Sequence, residues 1–122
     1  MFELVVKRRF SAAHQLRGYK GKCENLHGHT YMVEVYVRAE KLNDIGLAVD
    51  FKDLKSKIDE LLDRYDHHLA NEVPPFDRLN PSAENMARVF YDDLKNQMPA
   101  GITLSRLTVW ESEDAGATYS EP

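Results

Sequence analysis

The chain has one cysteine in 122 residues, Cys23, so no disulfide can form within it. A reducing cytoplasmic setting is the default for such a chain. It also lacks a basic excess. Sixteen Lys and Arg stand against twenty Asp and Glu, for a net charge of -4 and a pI near 5.7. That balance argues against a general nucleic-acid binder. No apolar run approaches membrane-spanning length, so no membrane partner is expected. Met1-Phe2-Glu3-Leu4 lacks the basic-then-apolar layout of a signal peptide. There is no internal repeat, low-complexity tract or interdomain linker. With 43% hydrophobic and 30% charged residues, the composition fits one globular domain over residues 1–122.

Against that ordinary background, His27-Gly28-His29 stands out. The following residues 30–37 alternate like a strand, and Tyr31, Val33, Val35 and Val37 share the parity of both histidines. Residues two apart in a strand point to one face. Both imidazoles therefore belong to the apolar face at the start of a strand over residues 27–39. Residues 2–10 read as an earlier strand, with Phe2, Leu4, Val6 and Phe10 on one face and Arg8 as the exception. Continued to residue 14, that parity places Ala12 and His14 on the same side. Residues 15–26 are polar, with Gly18 and Gly21, and read as a loop.

After a turn at Asn43-Asp44-Ile45-Gly46, Asp50 is a plausible N-cap. Phe51, Leu54, Ile58, Leu61, Leu62 and Tyr65 then predict a helix over 51–64. Val73-Pro74-Pro75 breaks the chain. Asn80-Pro81-Ser82 starts a second helix, with Ser82 or Asn80 as its cap, and its apolar stripe runs from Ala83 to Met98. The helix is expected to continue to about residue 97, where Pro99-Ala100-Gly101 ends it. Residues 102–111 predict a third strand and 117–121 a short fourth. The order ββααββ, with a hairpin at each end, predicts an α+β fold. Its four-stranded antiparallel sheet carries both helices on one face. The other face and the edges are left for subunit contacts.

His14, His27 and His29 can converge if the first two strands are neighbours. Neutral imidazoles suit zinc, and catalytic zinc sites use three protein ligands with a fourth position open. The competing reading makes one or more of them a satisfied core or surface residue. Cys23 lies in a loop with Lys20 and Lys22. Positive charge and a nearby metal would favour its thiolate as base or nucleophile. It reads equally as a fourth, structural zinc ligand or as a small buried filler.

Asp66-His67 follows the first helix. It is either an acid/base pair or a helix-terminal histidine answering the dipole. His68 is left as structural or exposed. Glu111 closes the third strand in phase with Leu107 and Val109. A carboxylate there either accepts paired N–H bonds from a guanidine-like ligand edge or turns to water. Glu84, in the first turn of the second helix, is explained mostly by the helix dipole. Arg17, Lys20 and Lys22 form a basic loop that either attracts an anion or is simply solvated.

Taken in order, these segments resemble the 6-pyruvoyl-tetrahydropterin synthase and 6-carboxytetrahydropterin synthase family over nearly the whole chain. The resemblance is carried by Phe10-Ser11-Ala12-Ala13-His14, by residues 23–31 (CENLHGHTY), by Asp50-Phe51-Lys52-Asp53-Leu54-Lys55, by Asp66-His67 and by Pro81-Ser82-Ala83-Glu84-Asn85. It implies a tunnelling fold, with subunits joined into a barrel and trimers stacked into a hexamer. It implies zinc on His14, His27 and His29, and Cys23 as the proton-abstracting base. Asp66 and His67 would be the partner relay, Glu111 the holder of the pterin amino-lactam edge, and Glu84 a further substrate contact. Active sites would lie between subunits.

The implied substrate is 7,8-dihydroneopterin triphosphate. Three residues separate Cys23 from His27, as in the compact bacterial members that form 6-carboxytetrahydropterin on the way to queuosine and other deazapurines. The rivals are a pyruvoyl-forming synthase of biopterin synthesis and a non-catalytic, zinc-stabilised pterin-binding protein. A third branch, which replaces the cysteine by glutamate, is kept open by Glu24. Tyr65, Ala70 and Ser82 depart from the family's usual Leu, Leu and Thr without removing a catalytic group.

Overall fold

The computed structural model describes residues 1–18 and 25–122. Cys23, Glu24, Lys20 and Lys22 lie outside the described residues. Two long strands, β1 (Phe2–His14) and β2 (His27–Ala39), pair antiparallel over their full length, from Phe2 opposite Ala39 to His14 opposite His27. β1 thus does continue to His14. Helix α1 (Phe51–Leu62) starts where the Asp50 carboxylate accepts the Lys52 N–H at 2.9 Å. Helix α2 (Ala83–Lys95) starts where the Ser82 hydroxyl accepts the Asn85 N–H at 3.1 Å. Strand β4 (Ile102–Trp110) pairs antiparallel with β2, and β5 (Gly116–Tyr119) pairs antiparallel with β4.

One strand escapes the sequence pattern. His68–Leu69 forms β3, pairing parallel with Ala12 and Ala13 of β1. The sheet is therefore five-stranded and mixed, in the order β3-β1-β2-β4-β5, not four-stranded and antiparallel. Two residues are too short to show an alternation. What makes this strand is local. The chain leaving α1 turns through Asp63–His67 instead of continuing the helix to residue 64. His67 takes a left-handed conformation, φ 62°. Its N–H then donates to the Ser11 carbonyl at 2.6 Å.

One face of the sheet carries the core. Val6, Phe10 and Ala12 of β1, Tyr31, Val33, Val35 and Val37 of β2, and Leu107 and Val109 of β4 are buried. They face Leu54, Ile58 and Leu61 of α1 and Met86, Phe90 and Leu94 of α2. Phe10 and Tyr31 stack at 4.7 Å across the β1–β2 pair. Arg8, the polar intruder on the apolar parity of β1, is answered from the helix layer. Its guanidinium makes a two-pronged contact with Asp59 of α1, at 2.7 and 2.5 Å. No helix among the described residues is long and apolar enough to cross a membrane.

Candidate metal and pterin site

The β1–β2 register carries three histidines to one end of the core face. His14 lies directly opposite His27, and His29 opposite Ala12. The three ring centroids are 4.6, 4.7 and 5.1 Å apart. The expected convergence is therefore present within one chain.

Backbone carbonyls set the direction of two of the rings. His14, only 1% exposed, places Nδ1 2.8 Å from the Pro81 carbonyl. His27 places Nδ1 2.7 Å from the Asn25 carbonyl. A carbonyl only accepts, so each Nδ1 carries the proton and each Nε2 presents a lone pair. Those two Nε2 atoms face each other at 3.1 Å. Two facing lone pairs repel unless a proton or a metal ion lies between or beside them.

His29 completes the set. Its Nε2 is buried and has no hydrogen bond among the described residues. The Glu111 Oε1 atom is 3.2 Å away, without the alignment of a hydrogen bond. Burial lowers the pKa of His29, the His14 and His27 rings add to this, and Glu111 opposes it. The neutral ring, the form that binds metal, is favoured. One donor atom from each of His14, His27, His29 and Glu111 falls within 4.8 Å of the others. Orphaned and mutually facing imidazole nitrogens, with carbonyls behind the rings, fit a zinc ion.

Glu111 follows β4, where its N–H donates to the Ala115 carbonyl at 3.0 Å. It sits against His29 and not apart from the histidines. A cleft of about 680 Å3 opens beside it, lined among others by His29, Tyr31, Trp110 and Glu111. The Tyr31 hydroxyl is a second buried group without a hydrogen bond among the described residues. Its burial pushes the phenol pKa up, so it stays a neutral donor.

Asp66 and His67 form a neighbouring corner. Asp66 Oδ2 lies 3.1 Å from His67 Nδ1, and Asp66 Oδ1 accepts the Ser11 N–H at 2.8 Å. The Ser11 N–H, and secondarily His67, hold the Asp66 carboxyl below the usual carboxylate range. The His67 side chain is 82% exposed. It lines a shallow depression with Ser11, Gly28, His29 and Thr30, so the corner opens onto one edge of the histidine cluster, although His67 is not among the residues whose donor atoms converge there. His68 is exposed, as expected, with Nδ1 2.8 Å from the Asp66 carbonyl. Glu84 is exposed in the first turn of α2 and also stays outside the cluster.

Arg17 is exposed and tied to the chain before the second helix. Its guanidinium donates to the carbonyls of Phe76 at 2.8 Å and Leu79 at 3.3 Å. The contribution of Pro81 and Asn25 to the site has no side-chain signature. Asn80-Pro81-Ser82 reads as a helix start, and a backbone acceptor behind a histidine is invisible in a pattern of residue types.

The fold and the cluster together define an α+β protein whose sheet ends in a histidine–glutamate group able to hold a metal ion. More specifically, the chain belongs to the 6-pyruvoyl tetrahydropterin synthase family, whose model matches residues 3–122. A 6-carboxy-5,6,7,8-tetrahydropterin synthase of Haemophilus influenzae is 30% identical, over 99% of this chain and 100% of that protein. A dihydroneopterin monophosphate aldolase of Pyrococcus furiosus is 31% identical, over 93% of this chain and 92% of that protein. The structure of Caenorhabditis elegans 6-pyruvoyl tetrahydropterin synthase superposes with a TM-score of 0.86 at 30% identity. It covers 100% of this chain and 98% of that one.

Proposed function

We propose that the chain is a zinc-dependent 6-carboxy-5,6,7,8-tetrahydropterin synthase. It would convert 7,8-dihydroneopterin triphosphate and water to 6-carboxytetrahydropterin, acetaldehyde and triphosphate, a step toward queuosine and other deazapurines. The observation that carries this reading is the cluster of His14, His27 and His29, with Nδ1 of His14 and His27 committed to carbonyls. The sequence supports it through the three-residue spacing from Cys23 to His27 and through relatives of that name.

His14, His27 and His29 would hold the zinc ion, which when bound would supply electrophilic polarisation of substrate oxygens. Everything else falls to residues of the chain. Cys23 removes a proton from the side-chain carbon. His67, oriented by Asp66, carries the second proton, and Asp66 is itself fixed by the Ser11 N–H. Glu111 accepts from the amino-lactam edge of the pterin, at the mouth of the cleft beside His29. Glu84 is a further substrate contact. The exposure of His67 and Glu84 suits sites assembled between subunits of a homohexamer, a dimer of trimers, in the cytoplasm.

The Pyrococcus relative supports a second reading, cleavage of dihydroneopterin monophosphate by an aldolase step. One experiment separates the readings: incubation of zinc-loaded protein with each pterin phosphate, with products identified by mass spectrometry. A 6-carboxytetrahydropterin product with acetaldehyde is expected from the triphosphate. A 6-pyruvoyl product would move the chain to the biopterin branch. A 6-hydroxymethyl pterin from the monophosphate would favour the aldolase. Zinc binding without turnover of either substrate would favour a pterin-binding protein.

A further inference from the structure

We infer that Asn80 is a positioning residue of the metal centre, acting on His14 through the Pro81 carbonyl. The inference rests on the reading of the histidine cluster as a metal site. After His14 the chain leaves β1 and runs against residues 80–81. There the Asn80 side-chain amide stands in for a neighbouring strand. Its Oδ1 accepts the Arg17 N–H and its Nδ2 donates to the Arg17 carbonyl, both at 2.9 Å. The Asn80 carbonyl is also taken, by Nδ2 of Asn85 at 2.9 Å. Asn80 is thus pinned at its side chain and at its backbone.

The next carbonyl along the chain is the one His14 uses. Pro81 precedes the helix cap, and the carbonyl of the cap residue, Ser82, accepts the first helical N–H, from Met86 at 2.8 Å. The Pro81 carbonyl is therefore outside the helical ladder and turns to His14 Nδ1. The proline ring fixes φ, so few torsions remain to swing this carbonyl away. A closed circuit results, from His14 along the chain to Arg17, across to Asn80, on to Pro81 and back to His14.

The circuit matters because His14 is buried. If the Pro81 carbonyl turned away, Nδ1–H would be left without a partner. The ring would then rotate, or move its proton to Nε2, the atom that faces the cluster. Partners of this kind behind metal-bound histidines typically change metal affinity by 10–100-fold.

Asn71 supplies the matched control. It clamps Gln15 in the same two-bond manner, at 2.8 and 2.8 Å. Gln15 directly follows His14, but among the described residues no carbonyl beside Asn71 accepts from a histidine of the cluster. The test compares wild type, Asn80→Ala and Asn71→Ala by zinc competition against a chromophoric chelator, and by the visible spectrum of the cobalt-substituted proteins. Melting temperatures of the metal-free proteins serve as the stability reference.

Both variants are expected to lower the metal-free melting temperature to a similar degree. Only Asn80→Ala is expected to weaken zinc binding, by about 10–100-fold, and to shift the cobalt bands. Equal zinc affinities in the two variants would overturn the inference. If Asn80→Ala does not fold, Asn85→Ala removes only the bond to the Asn80 carbonyl. It should then weaken zinc by about tenfold, and an unchanged affinity would overturn the inference just as well. A wild-type protein that binds no zinc would instead remove the metal-site reading itself.

Discussion

The histidine cluster and the Asp66–His67 corner lie at the same end of one sheet, yet they are oriented by opposite means. The cluster is enclosed. His14 is buried, His27 and His29 are partly buried, and two rings are aimed by carbonyls. The corner is exposed, and its direction comes from the left-handed backbone of His67 and from a carboxylate tied to β1. Burial and hydrogen-bonded direction suit a group that must hold an ion in one geometry. Exposure on a fixed backbone suits a group that must meet a partner from outside. The difference teaches that two polar groups supported by one strand, β1, need not share an environment, and that one can be aimed by burial and the other by backbone conformation.

The largest break in the comparison is removal of a cluster ligand. His27→Ala leaves two imidazoles and should abolish stoichiometric zinc binding, measured by metal analysis of the purified protein, together with turnover. Its metal-free melting temperature should stay close to that of wild type.

His67→Ala is the complementary cut. It should lower turnover by about 10²–10⁴-fold, the range for a lost general acid or base. Zinc content should remain that of wild type, since His67 is outside the cluster. Loss of zinc in this variant would show that the two regions are one site.

Acid separates the regions by stability. The folded-state pKa of Asp66 is depressed, chiefly by the Ser11 N–H. Its stabilising contribution is therefore present above the ordinary carboxylate pKa and lost as the pH falls through the lowered value. Between about pH 5 and pH 2, wild type should lose more melting temperature than Asp66→Asn, which has no such carboxylate to protonate. Parallel pH profiles of the two would refute the anchoring role given to Asp66.

The smallest effect probes the His67 backbone. A β-branched residue is strained at φ 62°. His67→Val should be destabilised relative to wild type in denaturant titration, because β-branching adds to the strain the histidine already bears. His67→Gly should stay within about 1 kcal/mol of wild type, because relief of strain offsets the added chain entropy. Equal losses in both variants would place the cost in the side chain instead.

How much of this was legible depends on how local the signal is. The parity of His27, His29, Tyr31, Val33 and Val35 gave the ligand face of β2 directly, and Phe10-Ala12-His14 gave that of β1. Asp50 and Ser82 marked both helix starts through side chains that cap them. β3 was not legible because two residues have no period, and because its pairing depends on a backbone angle at His67. Arg17 reads as a surface cation in any pattern of charge, and it is exposed; its two bonds to the carbonyls of Phe76 and Leu79 could not be read there. Glu111 was readable as in phase with Leu107 and Val109, but neither its turn away from water nor its place beside His29 could be read, since that contact depends on the β2–β4 register. The carbonyls behind His14 and His27 belong to no residue type, so no sequence pattern announces them.

The central claim, that His14, His27 and His29 form the metal site, is tested most directly by X-ray absorption at the zinc edge of the loaded protein. The account predicts three imidazole nitrogens at about 2.0–2.1 Å with oxygen completing the sphere. A sulfur scatterer at about 2.3 Å would make Cys23 a ligand and contradict the role given to it. Fewer than three imidazoles would contradict the site itself.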